Sequence, residues 1–163
     1  MKKLFLVFFI LFFSTPFFAE NTFNIFSSDA SAKDVIDFFL ENNWKISLDK
    51  SKTRLDCEPV DTWNYYDYEI VKISFTFTPE GFLQTQSIGL GNPPLSLTEA
   101  YKVLMDIACK DKTTFLNVKY FDTGTSGNGI AYYTKTLDFN ACVHMIVGIE
   151  EKFCVSILYS NAF

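Results

Sequence analysis

Twice along this chain a helical spacing of apolar residues gives way to strict alternation, an order that confines it to folds in which helices pack on antiparallel sheet. Ser31 and Asp34 make a cap close to a capping box, and Ala32, Val35, Ile36, Phe39 and Leu40 repeat with helical period until Asn42-Asn43. Trp44 is expected to fold back onto the core. A second helix opens at Ser96 with Glu99 in the S-x-x-E position, buries Ala100, Val103, Leu104, Ile107 and Ala108, and ends near Lys110.

After each helix the period becomes two. Val71, Ile73, Phe75 and Phe77 alternate with polar residues, and Pro79-Glu80-Gly81 turns the chain into a strand running from Phe82 to about Gly89. In the second half Leu116, Val118 and Tyr120 form one strand, and Ala131, Tyr133, Leu137 and Phe139 share a face of the next. Val143, Met145, Val147 and Ile149 and then Phe153, Val155, Ile157 and Tyr159 supply the last two. The expected fold class is α+β, with two helices packed on antiparallel β-sheet. Setting Ser31 in register with Ser96 suggests a pseudo-duplicated helix-plus-sheet module, with sub-modules 28–92 and 93–163.

Lys2 and Lys3, the apolar run Leu4 to Phe13 and the close at Pro16-Phe17-Phe18-Ala19 have the layout of a secretory signal peptide. Residues 1–19 are read as that leader and 20–163 as a single domain, working in the periplasm or secreted. As an uncleaved anchor the run is short against the roughly 20 apolar residues that span a bilayer, so no membrane span is expected after cleavage. All 19 acidic residues but only 12 of the 14 basic ones follow the cut, so the mature net charge is −7. An acidic chain without a basic stripe is a poor fit to nucleic acid. About seven strand candidates beside two capped helices also fit poorly with a closed outer-membrane barrel.

Cys57, Cys109, Cys142 and Cys154 all follow the cut, and an even number of cysteines in an oxidising compartment predicts two disulfides. None is in a C-x-x-C pair, and one histidine, His144, cannot complete a zinc set, so neither metal nor cofactor is expected. Keeping the apolar faces of the last two strands together calls for a three-residue turn, Glu150-Glu151-Lys152, which pairs Ile149 with Phe153. Cys154 then faces Gly148, about 20 Å along the ladder from Cys142, beyond disulfide reach.

The densest aromatic patch is Trp63, Tyr65, Tyr66 and Tyr68, mixed with Asp61 and Asp67. Rings with polar tips give large contact area at low entropy cost, so the patch is the expected binding site. The competing reading places these rings at the core edge, with a bulge near Ile70-Val71 shifting the phase of the strand. The loop Gly124-Thr125-Ser126-Gly127-Asn128-Gly129 lacks a P-loop ending and reads as a flexible turn. Ser126 is not in a nucleophile elbow, and His144 is expected at a solvent edge.

With no catalytic set, the function expected is that of an exported, disulfide-stabilised binding protein, an inhibitor of or adaptor for an extracytoplasmic protein. The alternative is an envelope-glycan hydrolase using Asp or Glu beside Trp63 and Tyr66, with Glu58, Asp61 and Asp67 as candidates. The partner expected is a protein, or else a glycan. Tandem helix-plus-sheet architecture is similar to that of small exported hydrolase inhibitors such as the β-lactamase-inhibitory proteins, an analogy of architecture that transfers no residue.

Overall fold

A computed structural model describes residues 21–110, 117–122, 128–134, 139, 141–149 and 152–161. The leader, residues 123–127 of the glycine-rich loop, Leu116, Leu137 and the connection 150–151 lie outside the described residues. Within them the chain is α+β: helices α1 (Ala32–Glu41) and α2 (Leu97–Lys110) and ten strands. The strands are β1 (Asn21–Thr22), β2 (Lys45–Leu48), β3 (Arg54–Glu58), β4 (Trp63–Tyr65), β5 (Tyr68–Phe77), β6 (Leu83–Leu95), β7 (Asn117–Asp122), β8 (Asn128–Thr134), β9 (Ala141–Ile149) and β10 (Lys152–Ser160).

Eight strands form one antiparallel sheet in the order β2-β3-β5-β6-β10-β9-β8-β7. β4 pairs with the start of β5, along the same side that β3 uses farther on, and β1 joins β4 in the one parallel pairing. Each helix thus precedes a run of antiparallel strands, and the last strands of the two runs, β6 and β10, pair at the centre.

Both caps form as their sequences dictate. The Ser31 hydroxyl accepts from the Asp34 amide at 3.2 Å while the Asp34 carboxylate accepts from the Ser31 amide, and Ser96 and Glu99 repeat the exchange. Asn42 caps the end of α1, and Asn43 takes a positive φ of 60°, a conformation that asparagine tolerates. This reverses the chain and buries Trp44 against Phe39.

One face of the sheet carries the core. Ile73, Ile88 and Ile157 lie side by side across β5, β6 and β10, under α1 residues Val35 and Phe39 and α2 residues Leu104 and Ile107. Burying side chains of this size contributes about 1.5–3 kcal/mol each. The neighbouring positions on the opposite face are small and polar: Ser74, Ser87 and Ser156 are half-buried, and Thr76 meets Thr85 at 2.6 Å. The N-terminal segment is clamped to the core by Gln86, a buried polar side chain in mid-strand. Its amide oxygen accepts from the Phe26 N–H and its nitrogen donates to the Phe26 carbonyl, at 3.1 and 2.8 Å.

The last hairpin differs from expectation by one residue. Ile149 pairs with Lys152 and Phe153 with Gly148, leaving two residues between the paired ends where three were expected. A slip of one exchanges the faces of a strand. Cys142, His144 and Ile146 of β9 therefore join Tyr159, Ile157 and Val155 in the core, while Met145 and Val147 are half-buried on the other face. The expected solvent-edge position of His144 is wrong; it is fully buried, with the Cys142 sulfur 3.9 Å from its ring nitrogens.

The two expected disulfides are not formed: none of the four cysteines is bonded to another. Cys57 and Cys142 are both buried, but β5, β6 and β10 separate their strands, a span of about 20 Å at the usual strand spacing. Cys154 pairs with Val147 on the opposite face, and Cys109 is exposed on α2. Cys142 and Cys154 remain unbonded in the observed register too, five residues apart along the ladder and on opposite faces.

Candidate functional site

The aromatic patch divides along the alternation of β4. Trp63 and Tyr65, two residues apart, point the same way, and only 8% and 6% of their surface is exposed. Trp63 packs on Phe38 and Trp44 at ring separations of 6.1 and 5.4 Å, and the Tyr65 hydroxyl meets that of Tyr159 at 2.7 Å. These two residues of the expected binding patch are core residues. The bulge expected near Ile70-Val71 is present as a register shift between Ile70 and Lys72.

Tyr66, Asp67 and Tyr68 do come together, at the tip of the β4–β5 hairpin. Tyr65 pairs with Tyr68, so Tyr66 and Asp67 are the two-residue loop, and such loops require a left-handed residue at their first position. Tyr66 supplies it with φ 52°, where glycine or asparagine is the usual occupant and a bulky residue is strained. Its ring lies 4.7 Å from that of Tyr65, centroid to centroid. Asp61 is exposed in the loop before β4.

Two residues that the sequence reading passed over complete the cluster. Lys110, in the last turn of α2, places its ammonium 5.5 Å from the ring centroids of both Tyr66 and Tyr68. The same ammonium pairs with Asp67 and, at 2.9 Å, with Asp106 one helical turn earlier. The Tyr68 hydroxyl donates to Asp106 at 2.8 Å. The only local trace of this arrangement in the sequence is the i,i+4 spacing of Asp106 and Lys110; the contacts to the tip cross about 40 residues, as Lys110 to Asp67 does with 43.

The charges reinforce one another. Hydrogen bonds from Lys110 and then Tyr68 hold the Asp106 carboxyl below the ordinary range, and Asp67 and Asp106 raise the Lys110 ammonium above its own. Partial burial, followed by donation to Asp106, raises the Tyr68 phenol. The site therefore holds a cation between two aromatic rings and two carboxylates. It remains open to solvent, with the Asp67 side chain 82% exposed. Among the described residues no group of three or more His, Cys, Asp or Glu could hold a metal ion, and no helix is long and apolar enough to cross a membrane.

Compared with protein-family models, with characterised proteins and with solved structures, the chain matches none of them.

Proposed function

We propose that this chain is an exported binding protein whose recognition surface is the tip of the β4–β5 hairpin, buttressed by the end of α2. The observation that carries the reading is Tyr66. A tyrosine stands where the backbone favours glycine or asparagine, its ring beside a cation and open carboxylates; strain of order 1–3 kcal/mol of this kind clusters at functional sites.

Export rests on the layout of residues 1–19, and the described core is compatible with it. Among the described residues Phe23 is buried and stacked on Phe39, so a cut after Ala19 leaves every named core residue in place. Reduced cysteines are compatible with this address where they are buried, as Cys57 and Cys142 are. The element order α1-β2-β3-β5-β6 followed by α2-β7-β8-β9-β10 supports a duplicated module. In that scheme β4 is an excursion between β3 and β5 that gives the first half a feature of its own.

The partner is a protein with a basic surface. Asp67 and Glu69 are exposed at the tip, Glu58 and Asp61 are exposed in the segment leading into β4, and a mature charge of −7 steers such a partner toward the chain. The glycan-hydrolase alternative has less support, since its candidates Glu58, Asp61 and Asp67 are all solvent-exposed side chains rather than the lining of an enclosed site.

The test is capture from an extracytoplasmic fraction by the immobilised mature chain and its Tyr66→Asn variant. Asparagine suits the left-handed backbone, which offsets the lost packing of the ring, so the variant should stay folded and melt close to the parent yet lose the captured protein. Equal capture by parent, Tyr66→Asn and Asp67→Lys would overturn the proposal.

A further inference from the structure

We infer that the hairpin tip is a cation cage built to take a lysine side chain of a partner protein, and that Lys110 fills it from within as a self-ligand until it is displaced. The inference rests on the reading of the tip as the recognition surface and adds the chemistry of what is recognised.

Four groups converge on one ammonium position. The Tyr66 and Tyr68 centroids stand at equal distances of 5.5 Å, inside the roughly 6 Å over which a ring face attracts a cation. Asp106 lies 2.9 Å from the nitrogen, and Asp67 closes the remaining side. Two rings and two carboxylates around one point make up the donor set that aromatic cages use for ammonium groups. The Tyr68 hydroxyl bond to Asp106 fixes ring and carboxylate relative to each other, so the cage is organised from the sheet as well as from the helix.

The occupant is replaceable in a way that the walls are not. Tyr66 and Tyr68 pack against the core, whereas Lys110 is the last residue of α2, held by a flexible stem. Its side chain is 29% exposed, and the Asp106 side chain beside it 42%, so an incoming ammonium can approach from solvent. An internal ligand competes as though present at high effective concentration, which weakens the cage toward outside lysines and reserves it for a partner that brings several contacts at once.

The experiment titrates the mature chain with an end-blocked tetralysine peptide, followed by calorimetry. Lys110→Ala should bind the peptide at least about tenfold more tightly than the parent, the gain expected when an internal competitor is removed. Lys110→Met, which keeps the apolar stem, should do the same, and it serves as the reference if the alanine variant melts lower. Adding Tyr66→Leu and Tyr68→Leu should return binding to the parental level, and a tetraglutamate peptide should not bind to either Lys110 variant. No gain in Lys110→Met that melts like the parent, or a gain that survives loss of both tyrosines, would overturn the cage. Failure here with Tyr66-dependent protein capture intact removes the lysine assignment alone, while failure of both removes the tip as a recognition surface.

Discussion

The hydroxyls of Tyr65 and Tyr159 meet at 2.7 Å within the core and join the β4–β5 hairpin to the last strand across 94 residues. This bond ties the base of the tip to the centre of the sheet, where β10 lies between β6 and β9.

Tyr65→Phe and Tyr159→Phe should each lower stability by about 0.5–1.5 kcal/mol, the usual net worth of a buried hydrogen bond. The double variant should lose less than the sum, because the two share one bond. Urea unfolding of the four proteins measures the cycle; strict additivity would show that the hydroxyls do not interact.

Gly148 is where β9 and β10 are locked in register. A Cβ built there would stand 2.4 Å from the Phe153 ring, which lies across the glycine from the neighbouring strand. Gly148→Ala should therefore destabilise by about 1–3 kcal/mol through overpacking. In a Phe153→Ala background the same change should become neutral or stabilising, since alanine suits a strand better than glycine. A sign reversal in melting temperature supports the register, and an identical cost in both backgrounds argues against it.

The thiols should react unequally. Burial pushes the Cys57 thiol up to about 12 and also raises Cys154, and Cys142 is fully enclosed, whereas Cys109 is exposed. A thiol-specific disulfide reagent at neutral pH should label Cys109 first, Cys154 slowly, and Cys57 and Cys142 only on unfolding. Four labels after denaturation without reductant are expected, and two or none would mean that disulfides form after all.

Acid should loosen the tip. The Asp106 pKa is lowered in the folded state, so the unfolded chain binds its proton more tightly. The stabilisation is complete above the ordinary aspartate value and is lost as pH falls through the folded one. Lys110 is raised, so its contribution is complete below the ordinary lysine value and is lost only as pH rises through the folded one. Melting temperatures between about pH 2 and 6 should fall less steeply for Asp106→Asn than for the parent, because the aspartate reference value near 3.9 lies in that window. Parallel curves would show that Asp106 is not coupled to folding.

The helices, their caps and the β5–β6 hairpin are legible because each is written in local residues: Ser31 with Asp34, Ser96 with Glu99, Pro79-Glu80-Gly81 between alternating runs; β2 and β3 are not, being too short to show a period. The face of β9 was not legible. Ala141–Ile149 is apolar in both phases, and the set Val143, Met145, Val147 and Ile149 outweighs Cys142, His144, Ile146 and Gly148 in hydrophobicity, yet Cys142, His144 and Ile146 are enclosed while Met145 and Val147 are only half-buried. The useful signal was Gly148, whose missing side chain leaves room for Phe153. At the site, composition alone cannot separate Trp63 and Tyr65 from Tyr66 and Tyr68, but the period of two in β4 does, with Tyr66 at the corner. Lys110 and Asp106 are brought to the tip by the packing of α2, which the spacing of the sequence does not encode.

The central claim is that the hairpin tip meets the partner, and site-directed photocrosslinking tests it most directly. With a photoreactive residue in place of Glu69, exposed beside the tip, or of Lys33, exposed on α1, the mature chain is irradiated in an extracytoplasmic fraction. A crosslinked protein from position 69 that is absent from position 33, and lost when Tyr66→Asn is added, is the predicted result. The same adduct from position 33, or one from position 69 indifferent to Tyr66, would contradict it.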